Sequence, residues 1–121
     1  MIEKRLGTTD DDIAGKIYIS GPITNVENWQ ENFIAAEKEL LELKKPIAVV
    51  NPLRISERIE KDFALAGRTP SYSDYMREDI KALAECDAIC LLPGWGKSKG
   101  ANVEYKIALS LNLAVLEYIP D

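Results

Sequence analysis

Residues 87–111 read "DAICLLPGWGKSKGANVEYKIALSL". The run from Asp87 to Pro93 is apolar nearly throughout, as expected of a strand buried on both faces. Gly94 to Gly100 then holds three glycines, two lysines and a serine in seven residues. From about Ala101 to Leu111 the pattern is helical. A buried strand, a glycine-rich turn and a helix in succession make one unit of a parallel α/β sheet.

Working outward, the same alternation recurs. "KIYIS" (16–20) is β-rich and ends at Gly21-Pro22, which reads as a strand and a turn. From Asn25 to Lys44 the apolar residues Trp29, Phe33, Ala36, Leu40 and Leu43 are spaced by three and four, a helical period. "PIAVVNP" (46–52) is a second strand. Residues 53–72 are less decided, with a helix over Ile55 to Ala66 and a loop at "GRTPSYS". Ser73 or Asp74 is placed to cap a helix from Tyr75 to Glu85. "AVLEYI" (114–119) is the last strand. The fold class that follows is α/β: a single domain with a doubly wound, Rossmann- or flavodoxin-like, mostly parallel sheet of four to five strands and flanking helices. The domain spans residues 15–121, and residues 1–14 form a mobile, charged leader. In such sheets ligands bind beyond the carboxyl ends of the strands. That places a site at Ser20-Gly21-Pro22, Asn51-Pro52 and Pro93-Gly94-Trp95 before any motif is invoked.

Composition narrows the chemistry. The chain has 121 residues and a net charge of −5, which disfavours a nucleic acid polymer as partner. No apolar run approaches the roughly 20 residues of a membrane span, and no signal peptide is visible, so a cytoplasmic location is expected. Cys86 and Cys90 read as buried thiols in a reducing compartment; four apart on a strand, they share a face but cannot reach each other. There are no histidines. Ser-His and Cys-His pairs and histidine metal sites are therefore excluded, and acid-base or nucleophilic work falls to carboxylates.

Two carboxylates stand out. Asp79 lies three residues after Met76 and four before Leu83, and so leans towards the apolar side of its helix. It is either paired with Arg77 or Lys81, half-exposed, or functional, because a bare buried charge is costly. Glu104, in the first turn of the helix after the glycine-rich loop, is either a charge stabilising the helix N-terminus or a catalytic group. The loop can wrap an anion with backbone amides or be a solvated surface turn. It lacks the G-x-x-x-x-G-K-[ST] pattern of an ATP-hydrolysing phosphate loop. Two carboxylates near an anion-binding loop suit glycosyl transfer at an anomeric carbon.

The segments "KIYISGPI", "DYMREDIKALAECDAICLLPGW" and "SKGANVEYKIALSLN" resemble the nucleoside 2-deoxyribosyltransferase superfamily, over residues 16–119. The resemblance implies that Glu104, in the pattern G-x-x-x-E-x-x-x-A, is the nucleophile and that Asp79 assists departure of the base. It implies that Ser20, Gly21, Pro22 and Ile23 border sugar and base, with Tyr18, on the strand leading into them, also assigned to substrate binding. The loop residues Gly94, Trp95, Ser98, Gly100 and Asn102 are assigned to substrate binding. Where free-nucleoside transferases carry an acidic residue, this chain has Ser98 between Lys97 and Lys99, as in the 5'-monophosphate N-glycosidases. A nucleoside 5'-monophosphate is therefore the expected substrate. The resemblance also implies a homo-oligomer, with no cofactor and no metal. Outside this class stand a non-catalytic nucleotide-binding or sensing domain, a glycohydrolase of a dinucleotide and a purely structural role.

Overall fold

The computed structural model describes residues 1–5 and 13–120. Among them the elements run β1 (Ile2–Lys4), β2 (Gly15–Ser20), α1 (Trp29–Leu41), β3 (Ile47–Val50), α2 (Pro52–Leu65), α3 (Tyr72–Ala84), β4 (Ala88–Leu91), α4 (Lys99–Ser110) and β5 (Ala114–Tyr118). The five strands form one sheet in the order β1-β5-β4-β2-β3. β2 pairs in parallel with β3 and β4, and β4 pairs in parallel with β5. β1 runs antiparallel to β5. The protein is thus α/β with a mixed sheet. No described helix is long and apolar enough to cross a membrane.

β1 corrects the expectation of a mobile leader over residues 1–14. Ile2, Glu3 and Lys4 pair with Tyr118, Glu117 and Leu116, and Arg5 bonds Glu117 at 2.6 Å. Three residues are too few to show the two-residue period by which a strand is read. Here the pairing supplies partners for the backbone of β5, which would otherwise be a bare edge. Residues 6–12, the remainder of that segment, lie outside the described residues.

Several helix starts also differ from expectation, for local reasons. α1 begins at Trp29 rather than Asn25, because Asn25 and Asn28 hold left-handed φ values of 62° and 56°, which a helix cannot include. α2 begins at Pro52: the Asn51 side chain accepts from Leu53 N at 3.0 Å and proline occupies the first turn, a favoured start. α3 is capped by Ser71 rather than Ser73 or Asp74. The Ser71 hydroxyl accepts from Asp74 N while the Asp74 carboxylate accepts from Ser71 N, a reciprocal capping box. The helix therefore starts three residues before the expected Tyr75.

The sheet separates two cores by strict alternation. Ile17 and Ile19 of β2, Ala88 and Cys90 of β4 and Leu116 of β5 meet Phe33, Ala36 and Leu40 of α1. Tyr18, Ile89, Leu91 and Val115 point the other way, to Leu83 of α3 and Ala108 of α4. Cys86 and Cys90 are free and buried, but they sit in different cores rather than on one face. Cys86 precedes β4, and its Sγ donates to Ala82 O of α3 at 3.3 Å. Burial pushes both thiols up, to about 11 and about 12, which keeps them unreactive.

Strand order reverses between β2 and β4: the chain leaves β2 for β3 on one side and returns past β2 to β4 on the other. Their carboxyl ends, Ser20 and Leu91, are register partners. The crevice beyond them is where such a sheet takes a ligand.

Candidate active site

A cavity of about 990 Å³ opens at that reversal point. Its walls come from the turn after β2, from Trp29 and Phe33 of α1, from α2, from α3, and from the glycine-rich loop with the first turns of α4. Gly21 is needed there by close approach. A Cβ on it would meet the Leu92 side chain at 2.7 Å, so only glycine lets the β2 turn lie against the end of β4. Gly94 has φ 80°, the left-handed conformation that starts the short 3-10 helix Trp95–Lys97. Gly100 brings the start of α4 within reach of the Met76 and Tyr72 side chains of α3.

Glu104 lines this cavity and is only 5% exposed. It does not occupy the first turn of its helix, as expected. The Ser98 hydroxyl accepts from Ala101 N, and α4 begins at Lys99, which puts Glu104 in the second turn. Stabilisation of a helix N-terminus fades within the first turn, so that reading of Glu104 is set aside. The side chain instead receives two hydrogen bonds: Tyr18 Oη donates to Oε2 at 2.7 Å and Ser20 Oγ donates to Oε1 at 2.6 Å. Tyr18 and Ser20 are alternate residues of β2, so both point to the α4 side of the sheet. Hydroxyl–carboxylate bonds this short are of the charge-assisted kind. Burial raises the Glu104 pKa above the usual carboxylate range, and the bonds from Ser20 and Tyr18 oppose that rise. The Tyr18 hydroxyl is raised well above its usual range, first by burial and then by the Glu104 charge, so it stays a donor.

Asp79 of α3 also lines the cavity, 6% exposed. Its Oδ1 is buried without a hydrogen-bond partner among the described residues. The ion pair with Lys81 is not formed, because Lys81 bonds Glu78 at 3.2 Å instead. Burial, then the Glu104 charge, then the Glu78 charge push Asp79 up to about 7. One carboxylate is thus held by two donors while the other keeps its proton to about pH 7, and environments that push two acids apart in this way can give them different chemical tasks.

The other residues named from the sequence fall into two groups. Tyr18, Gly21, Pro22, Ile23, Gly94, Ser98 and Gly100 line the cavity, and Ser20 touches it through Glu104. Trp95 and Asn102 do not line it. The Trp95 ring packs on Tyr105 with centroids 4.7 Å apart, and Arg5 lies 6.0 Å from its centre. The Asn102 side-chain amide donates to the carbonyls of Gly96 at 2.9 Å and Ser98 at 2.8 Å. It ties down the loop from behind. Asp87 is likewise structural, accepting from Lys16 N at 2.8 Å.

Sequence reasoning missed the walls supplied by α2 and the start of α3: Ser56, Glu60, Tyr75 and Met76. Pro52, Ser56 and Glu60 recur every four residues and so share one face of α2. That spacing was visible, but nothing in it says which neighbour the face meets.

Residues 15–117 match the model of a family described as a domain of unknown function, DUF4406. The chain belongs to this family. The DUF4406 match begins with β2 and ends in β5, so it takes in both carboxylates and every cavity wall and leaves β1 outside. No curated protein and no solved structure is significantly similar to the chain.

Proposed function

We propose that this protein cleaves or exchanges the N-glycosidic bond of a nucleoside 5'-monophosphate on a Rossmann- or flavodoxin-like scaffold. The observation that supports it best is the pair of buried carboxylates in one cavity, Glu104 doubly hydrogen-bonded and Asp79 unpartnered at Oδ1. Such a pair suits retaining glycosyl chemistry, in which one carboxylate attacks and another group manages the leaving group's proton.

In this reading a Glu104 oxygen attacks the anomeric carbon, and the carbon–nitrogen bond to the base breaks. The bonding pair passes to the base nitrogen as protonated Asp79 gives its proton to the base, which leaves neutral. Ser20 and Tyr18 fix both oxygens of the nucleophile, so little reorientation precedes attack. In the second step ionised Asp79 takes a proton from water as its oxygen attacks the same carbon. The ester to Glu104 breaks, the carboxylate is restored, and a sugar phosphate departs. A second base nitrogen in place of water gives exchange. Lys97 and Lys99, both at the cavity, supply cations for the phosphate. The Ser98 oxygen accepts from Ala101 N, which leaves its own proton free to donate to a phosphate oxygen. The homo-oligomer implied by the resemblance rests on that resemblance alone.

The test is release of free base from a panel of nucleoside 5'-monophosphates, with and without an acceptor base. Release should require Glu104, and a sugar adduct on Glu104 should be trapped by mass spectrometry. Turnover by Glu104→Ala at the wild-type rate sinks the reading. Equal use of nucleoside and nucleotide, unchanged in Ser98→Ala, removes the phosphate from it.

A further inference from the structure

The walls of the cavity differ in charge. α3 packs against both α2 and α4, so the α2 wall and the first turn of α4 stand on opposite sides of the space. The α4 side carries Lys97 and Lys99; the α2 side carries Ser56 and Glu60. At about 990 Å³ the cavity lies at the upper end of the roughly 300–1,000 Å³ usual for small-molecule sites, so a ligand reaching one wall need not leave the other vacant.

Ser56 and Glu60 are one helical turn apart on the same face of α2, Ser56 buried and Glu60 exposed at the mouth. Tyr75 Oη donates to Glu60 Oε2 at 2.8 Å. Glu60 has no cationic partner among the described residues, and its Oε1 is uncommitted. The Tyr75 hydroxyl is pushed up to about 12, by burial and then by its bond to Glu60, so it keeps its proton and holds the carboxylate in one orientation.

We propose that Ser56 and Glu60, with Tyr75 as positioning residue, form the base-reading end of the cavity and select nucleobases bearing an exocyclic amine over their oxo counterparts. This rests on the nucleotide reading above. An ionised carboxylate only accepts hydrogen bonds, and an exocyclic amine only donates them. An oxo group in the same place sets lone pairs against lone pairs and leaves Glu60 unmatched. Ser56 both donates and accepts, so it tolerates either state of the neighbouring ring nitrogen. The charges also fix direction. Glu60 repels a phosphate and the lysines attract it, so the phosphate lies towards α4, the base towards α2, and the sugar between them at Glu104.

The experiment measures dissociation constants for matched pairs that differ by amine against oxo, CMP with UMP and AMP with IMP. Both proteins compared carry Glu104→Gln, so that no sugar is cleaved, and one also carries Glu60→Gln. The parent is expected to bind the amino member about tenfold more tightly, and Glu60→Gln, which can donate to an oxo group, should bring the ratio to one or reverse it. Tyr75→Phe should narrow the ratio without abolishing binding. Equal or reversed preference in the parent, a ratio unmoved by Glu60→Gln, or no binding of any member overturns the proposal. Base release by the protein with native Glu104 is read separately. Amine preference without release keeps this inference and removes the reaction; release without preference does the reverse.

Discussion

The two faces of β2 differ by one residue of register and by everything in their chemistry. Ile17 and Ile19 face α1 in a core with no charged member. Tyr18 and Ser20 face α4 and hold the buried carboxylate of Glu104. A sheet with period two lets one strand carry a dry, stabilising face and a polar, costly one without compromise between them. The stability of the first face offsets the burial of two acids on the second.

The sharpest way to break this comparison is to remove the acid and keep the fold. Glu104→Gln should lower base release by at least about 10³-fold, as loss of a nucleophile does, with circular dichroism and melting close to wild type. A variant that unfolds instead would show that the polar face is structural. The converse substitution, Leu40→Ala on the apolar face and away from the cavity, should cost about 2–5 kcal/mol in denaturant unfolding, and activity should fall only in step with the folded fraction.

Acidity separates the faces further. Asp79 is raised from its unfolded value to about 7, so the folded state holds a proton that the unfolded state has lost. Below the unfolded value this group imposes no penalty. As pH rises from about 4 to about 7 the native state loses about 1.4 kcal/mol per unit to it, and the penalty is constant above. Asp79→Asn should flatten that slope and be the more stable protein at pH 8, measured by urea titration across pH. Wild-type base release should fall as pH rises through about 7, and Asp79→Asn, with no proton to give the base, should be slow at every pH. The smallest effect is expected from Ser20→Ala, which deletes one of the two bonds to Glu104. Stability should fall by about 1.5–3 kcal/mol, the range for a bond to a charged group, and turnover should fall while Leu40 variants of equal stability keep theirs. Equal turnover loss in both would erase the distinction between the faces.

Much of this was legible in the sequence because the underlying signals are periodic. The apolar spacing of α1, the continuous run of β4 and the glycine turns at the strand ends located the sheet and its crevice. Asp79 and Glu104 could be singled out because a carboxylate on an apolar helix side is conspicuous, and they do share one cavity. What stayed hidden lacks a period. β1 has three residues. Ser71, Ser73 and Asp74 are all competent caps, and only the reciprocal bond with Asp74 chooses Ser71. Trp95 and Asn102 sit at a loop, where backbone turns rather than residue spacing set side-chain direction. The α2 wall depends on which helix lies beside it, a fact of tertiary packing.

Asn102 has one more consequence. Its amide clasps the carbonyls of Gly96 and Ser98, and the Ser98 hydroxyl clasps Ala101 N in turn. The glycine-rich loop is therefore preorganised. Its loss of conformational entropy is met during folding, so under the proposed function a phosphate bound between Lys97 and Lys99 would have no loop left to order, and more of the electrostatic attraction would survive as affinity.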